Sequence, residues 1–237
     1  MSKIPTRHVL QNKTIQWIIS IAVYLLAFGF FMWYYYAQGY PYSLLTVNKC
    51  IALASLFSIG VAISMGPLSR FFGIIKNLLS YRRTMGMTGA YLVILHIIIS
   101  VFFLQETFPL QWFMEHWICV IFCVPAFLLL LIITVLSYPR GFKFLVQHKL
   151  QFFPKLVWLA FAFALGHILF MGKIPDWIEW LKTFDTPLPH AALPASVFCI
   201  IVLLLKLTDT IFGNKPAGIQ PQQLPSDGNM HTGGDVK

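Results

Sequence analysis

Six apolar runs set the terms on which this chain can fold: Ile15–Tyr36, Leu44–Met65, Met85–Gln105, Trp117–Tyr138, Pro154–Gly172 and Leu193–Gly213. Each is about 20 residues long, enough for a helix to cross some 30 Å of hydrocarbon. With 58% hydrophobic and 11% charged residues and a mean hydropathy of +0.73, the chain lies far outside the soluble globular range. The runs predict an all-α integral membrane protein, a bundle of six transmembrane helices. The four cysteines, Cys50, Cys119, Cys123 and Cys199, all fall inside the runs and behave there as small apolar residues, not as a disulfide framework.

The net charge of +9 is no nucleic-acid signal, because the bases sit in short loops flanking the runs. Lys3, Arg7 and Lys13 precede the first run; Arg70, Lys76, Arg82 and Arg83 follow the second; Arg140, Lys143 and Lys149 follow the fourth, with Lys155 at the start of the fifth. The alternate loops hold Glu106 and Glu115, or offset Lys173 and Lys182 with Asp176, Glu179 and Asp185. This asymmetry predicts that both termini are cytoplasmic. The chain then divides into a cytoplasmic basic arm over residues 1–14, the transmembrane domain over 15–213, and a polar, Pro/Gly-rich tail over 214–237 that reads as disordered. The first run lacks a small-residue cleavage site and reads as retained. The stretch SRFFGIIKNLLSYRR reads as an amphipathic connector, and IPDWIEWLKTFDTPLPH as a short interfacial helix with Trp177 and Trp180 turned inward.

Within this apolar background two histidines stand out, His96 in the third run and His167 in the fifth. An ionisable group inside a bilayer is costly, so it faces a neighbouring backbone carbonyl, a cofactor or a water-filled path. His96 lies 13 residues past Arg83 and His167 lies 12 past Lys155. At 1.5 Å per residue each stands about 18–20 Å above its cytoplasmic basic anchor. The third and fifth helices run in the same direction, so the imidazoles can face one another at one depth in the outer half of the membrane. Two neutral imidazoles so placed suit axial ligation of one haem iron; zinc would need further ligands at that level. Gly89 and Gly166 leave room for close approach, and Phe163, Phe170, Leu92, Val93 and Ile99 supply apolar walls. Asn48 and Lys49 lie one turn inside the outer boundary of the second run. There the Lys49 ammonium either snorkels to the interface or pairs with an anionic group of a bound cofactor. His116 sits beside Trp117 at the outer interface, His148 in a basic cytoplasmic loop and His231 in the tail.

The runs GPLSRFFG, YRRTMGMTGAYLVILH, LSYPRGF and FPKLVWLAFAFALGH resemble the ferric-reductase-like transmembrane domain superfamily. Within it, they resemble the family of haem-binding membrane subunits of bacterial periplasmic methionine sulfoxide reductase systems. The resemblance spans roughly Asn48 to Gly172 and rests on Arg82, Arg83, Gly86, Tyr91 and His96, and on Leu156, Val157 and Trp158 leading to His167. It implies a six-helix bundle in a bacterial inner membrane, with b-type haem between helices 3 and 5 and His96 and His167 as ligands. It also implies passage of electrons across the membrane to an extracytoplasmic reductase. Two departures limit it. Pro154 stands where that family has a further histidine, and Arg82 stands at the level where relatives with two stacked haems have another ligand. One haem is therefore expected.

The chain has no GxGxxG followed by an acidic residue, and its tail leaves no room for a nicotinamide or flavin domain. Electrons must then arrive from elsewhere; positive-inside anchoring explains the inner bases on its own, and the same bases would also attract a flavin phosphate or a quinol headgroup, which makes a cytoplasmic flavin reductase or a quinol the expected donor. Three function classes stay open: a haem-containing electron-transfer subunit, a stand-alone ferric or cupric metalloreductase, and a scaffold or transporter whose histidines are structural. Scarcity of base in the outer loops, where only Lys49, Lys173 and Lys182 occur, favours a protein acceptor over a chelated metal.

Overall fold

A computed structural model describes residues 12–72, 78–138, 153–171, 173–186 and 188–212. Nearly all of the basic arm, the tail, and Lys76, Arg140, Lys143, His148 and Lys149 lie outside the described residues, as do the side chains of Pro154 and Lys155. The described residues form helices and no strand: α1 (Lys13–Ala37), α2 (Leu44–Phe71), α3 (Arg82–Ile98), α4 (Leu110–Glu115), α5 (Trp117–Ser137), α6 (Phe153–Leu169), α7 (Ile174–Thr183) and α8 (Ala192–Phe212). Five spans are long and apolar enough to cross a membrane: α1, α2, α3 with its flanking turns, α5 and α8. Of the fifth run, α6 makes 17 residues of helix, and it reaches a span's length only together with α7, from which it is bent by 66°. The protein is an all-α, multi-pass membrane protein.

Two helices depart from their expected bounds. Helix α2 runs past Met65, through Gly66 and Pro67, to Phe71. Proline withholds one intrahelical N–H and so frees the carbonyl four residues back, that of Ile63, which membrane helices tolerate; farther on, Ser69 Oγ donates to Gly66 O at 2.8 Å. Helix α3 is α-helical only to Ile98 and closes as a π turn, Ile99–Phe103. Single π turns inside helices are frequent at functional sites, and this one begins three residues after His96.

Helix α2 is the axis of the bundle. In its most apolar stretch 72% of residues are buried, against 11–28% in the other four long spans. Around it pack α1, α3 and α8, while α6 packs on α5 and α8. Small residues on α2, among them Ala54, Ser55, Ser58 and Ala62, let these neighbours approach. Two of its hydroxyls bond within the helix, Ser55 to Ile51 O at 2.6 Å and Ser64 to Gly60 O at 2.8 Å. The outward faces stay apolar, with Leu26, Phe102 and Leu204 exposed, as contact with lipid requires.

The two ends are fastened differently. At the end bearing Arg70, the buried Asp209 carboxylate of α8 is held by Arg70 at 2.7 Å and Lys206 at 3.0 Å. The Lys206 pairing follows from its spacing along one helix face; the Arg70 pairing joins α8 to α2 and needs the tertiary fold. At the other end α1 closes with Gly39 at φ +80°, where Tyr40 N–H donates to Tyr35 O at 3.1 Å and Gly39 N–H to Tyr36 O at 2.9 Å. This is a Schellman cap, and its left-handed residue is one that glycine adopts without strain.

Candidate functional site

The third span carries His96 against α2. His96 Nδ1 lies 2.9 Å from Asn48 Oδ1 and 3.2 Å from Asn48 O. Which amide atom faces the ring follows from Ser100. Its hydroxyl donates one turn back to His96 O at 2.8 Å, so it accepts from Asn48 Nδ2, also at 2.8 Å. Asn48 Oδ1 therefore faces the imidazole, and Nδ1 must carry the proton. The main-chain carbonyl of Asn48 demands the same tautomer. Asn48 is 1% exposed, so this ring of hydrogen bonds sits where each bond counts. Nε2 is left as an unprotonated lone pair.

His167 is held by the same device on the other side. Its Nδ1 lies 3.3 Å from Cys119 O and 3.0 Å from Cys119 Sγ. A carbonyl can only accept, so Nδ1 is again the donor. The Cys119 thiol in turn points to His167 O at 3.7 Å. The carbonyl contact expected of a purely structural intramembrane histidine is thus present at both sites, yet it uses only one ring nitrogen. The two imidazoles share no hydrogen-bond partner. The helices that bear them take other helices as their main packing neighbours, α3 on α2 and α6 on α5.

Glycine sets both seams. A Cβ on Gly89 would lie 2.9 Å from Ser55 O and 2.6 Å from Ile59 Cγ1. Gly89 is seven residues before His96 and Ser55 seven after Asn48, so this contact lies two turns along the same antiparallel seam. It fixes the approach at which His96 reaches Asn48. A Cβ on Gly166 would lie 2.4 Å from the Phe122 ring, next to His167 and one turn from Cys119. At both glycines the vacated space is taken by the adjoining helix. Of the expected apolar walls, Phe163 and Phe170 meet Phe122, with ring centroids at 6.1 and 5.0 Å. Leu92 and Val93 are half-buried against the clusters of α2.

Lys49 does not join the histidines. One residue on from Asn48, it is rotated away by about 100°, and its ammonium lies 5.9 Å from the Tyr40 ring centre. His116 Nδ1 bonds to Trp112 O at 3.0 Å while its ring stacks on Trp112 at 4.3 Å, which accounts for it at the interface. Sequence reasoning missed the partners Cys119 and Ser100 and passed over His190, which lies near Lys49. The signal for Asn48 was present, a polar residue inside an apolar run, but the adjacent charge drew attention instead.

Among the described residues no group of three or more His, Cys, Asp or Glu is placed to hold a metal ion. An apolar groove of about 420 Å³ between α1, α2 and α8, lined by Phe30, Phe57 and Phe198 among others, has no titratable side chain and includes neither histidine. The site is therefore two imidazoles on separate helix seams, each tied at Nδ1 and, among the described residues, with no hydrogen bond at Nε2. No protein-family model and no curated protein matches the chain.

Proposed function

We propose that the chain is a membrane electron-transfer protein that holds one haem b between His96 and His167. It would take electrons from a cytoplasmic flavin reductase or a quinol and deliver them to an extracytoplasmic reductase or other acceptor. One observation carries this reading: two intramembrane imidazoles, each with Nδ1 bound to the adjoining helix and Nε2 left unprotonated. The donor set fits an iron porphyrin: His96 and His167 would hold it through Nε2, and no third protein ligand would be needed. When bound, haem b supplies a one-electron carrier in the outer half of the membrane.

The protein's part is positioning. Asn48 and Cys119 hold the rings in the ligating tautomer, and a hydrogen bond at Nδ1 raises the basicity of Nε2. Gly89 and Gly166 set the helix spacing that makes those bonds reachable. At the basic end, Arg82 is half-buried beside Gly66, with Arg70 in electrostatic reach and Arg83 exposed on the next position. These arginines suit the anionic or polar head of a donor.

Two measurements test the reading. Reporter fusions at Gly39 and Thr107 should report the extracytoplasmic side, and fusions at Asn77 and Gly213 the cytoplasm; a reversed pattern removes the depth match as well. In liposomes with donor on one side only, stopped-flow absorbance should show haem reduction from the cytoplasmic side. Reduction should be slower in the Arg82→Ala, Arg83→Ala double variant at unchanged haem content. Equal rates in both proteins would take the arginines out of the donor site, and a purified wild type without haem absorbance would leave a scaffold or transporter.

A further inference from the structure

At the outer end the fold gathers cations that are far apart in sequence. Lys49 lies in the second turn of α2, Lys173 immediately before α7, and His190 two residues before α8. The Schellman cap folds Tyr40 back onto Tyr35 at 5.3 Å, and the His190 ring stands edge-on to both, at 6.1 Å from Tyr35 and 6.4 Å from Tyr40. The chain before His190 is pinned to α1: Tyr34 Oη donates to Pro189 O at 2.7 Å, and Gln38 Nε2 donates to Pro189 O and Leu188 O. His190 Nδ1 accepts from Ala192 N–H at 3.2 Å, so its Nε2 is the N–H donor.

The mouth is short of negative charge. Burial, then the charges of Lys173 and Lys49, against the pull of Asp176, hold the His190 pKa down at about 4. Asp176 is the carboxylate that faces the group, and it already pairs with Lys173 at 3.3 Å. The half-buried Lys49 ammonium has an aromatic ring beside it and, among the described residues, no hydrogen-bonded oxygen. Two further polar atoms at this end are buried without a partner: Trp177 Nε1, one turn from Lys173 on the same face of α7, and Gln38 Oε1. Lys49 Nζ and Trp177 Nε1–H seek an acceptor, while Gln38 Oε1 seeks a donor such as a hydroxyl.

Depth and shape point to what supplies them. Lys49 is five residues into α2, about 8 Å below its outer end, the level of the headgroup–acyl boundary. Beside it α7 exposes Ile174, Ile178 and Leu181 as one stripe, suited to lie on acyl chains. We propose that this mouth binds the phosphate of an anionic, hydroxyl-bearing phospholipid. Lys49 and Lys173 pair with the phosphate oxygens, His190 Nε2–H and Trp177 Nε1–H donate to them, and Gln38 Oε1 takes a headgroup hydroxyl. The site stands apart from the histidine pair and needs no haem.

The test is thermal unfolding of the delipidated full-length protein in neutral detergent, with phosphatidylglycerol, phosphatidylcholine or inorganic phosphate added. Phosphatidylglycerol should raise the midpoint by several degrees more than phosphatidylcholine. That excess should vanish in Lys49→Met with Lys173→Gln and survive in Lys182→Gln. If the double variant does not fold, Lys173→Gln alone carries the test, since its ion pair with Asp176 is exposed and its loss costs little. Lipid-free protein should also lose stability as pH falls from about 6.5 to about 4, because unfolded His190 binds its proton more readily than folded His190. Phosphatidylglycerol should shrink that loss. Equal midpoints with the two lipids, or an excess that persists in the lysine variants, overturns the proposal. Inorganic phosphate reproducing the whole effect overturns the lipid as its source.

Discussion

His96→Ala or His167→Ala is expected to abolish bound haem, leaving purified protein without the low-spin absorbance of the wild type. Each imidazole offers one Nε2, and no other described histidine can replace it: His116 is engaged on Trp112, and His190 belongs to the outer mouth. His116→Ala and His148→Ala should therefore leave the spectrum close to wild type. The same variants separate the competing structural role. If His96 only tied α3 to Asn48, its removal would cost a hydrogen bond, about 0.5–1.5 kcal/mol, and lower thermal stability without an optical consequence. Retained bis-histidine absorbance in either alanine variant would falsify the assignment.

Much of the fold was legible because hydrocarbon imposes a simple rule. Every apolar run became a helix, with ends within a turn or so, except where α2 continued through Pro67 and where α3 gave way to a π turn after Ile98. The histidines were legible for the same reason: an ionisable group in an apolar run is too costly to be incidental. Their partners were not. Which face of α2 meets α3 depends on the seam that Gly89 makes with Ser55, and no periodicity in either helix announces it. Lys49 and Asn48 are neighbours in sequence, yet a helix turns about 100° per residue, and only Asn48 faces the histidine. Cys119 read as a small apolar residue until α5 was laid beside α6. The outer loops looked poor in base, but folding brings Lys49 and Lys173 within electrostatic reach, with His190 beside them, so a count by loop misjudged the local charge.

Asn48 carries the other large expected effect. Replacing it with leucine keeps the branched heavy-atom skeleton but removes both ends of the amide. His96 Nδ1 would then rely on the longer bond to the main-chain carbonyl, and Ser100 would lose its donor. Partners of this kind orient a ligating imidazole and are worth about 10–100-fold in affinity, so haemin titration of apo-protein should show weaker binding by that factor. Asn48→Asp separates tuning from mere packing. It keeps an acceptor at Nδ1 but makes it anionic, which pushes electron density onto Nε2 and favours the oxidised iron. The midpoint potential should fall relative to wild type, a shift that a purely structural asparagine would not produce. Ser100→Ala should act in the same direction as Asn48→Leu but more weakly, because the amide loses its orientation and not its oxygen. Wild-type affinity in Asn48→Leu together with an unmoved potential in Asn48→Asp would show that the network serves the helix seam alone, and that His96 Nε2 is not the atom on which function turns.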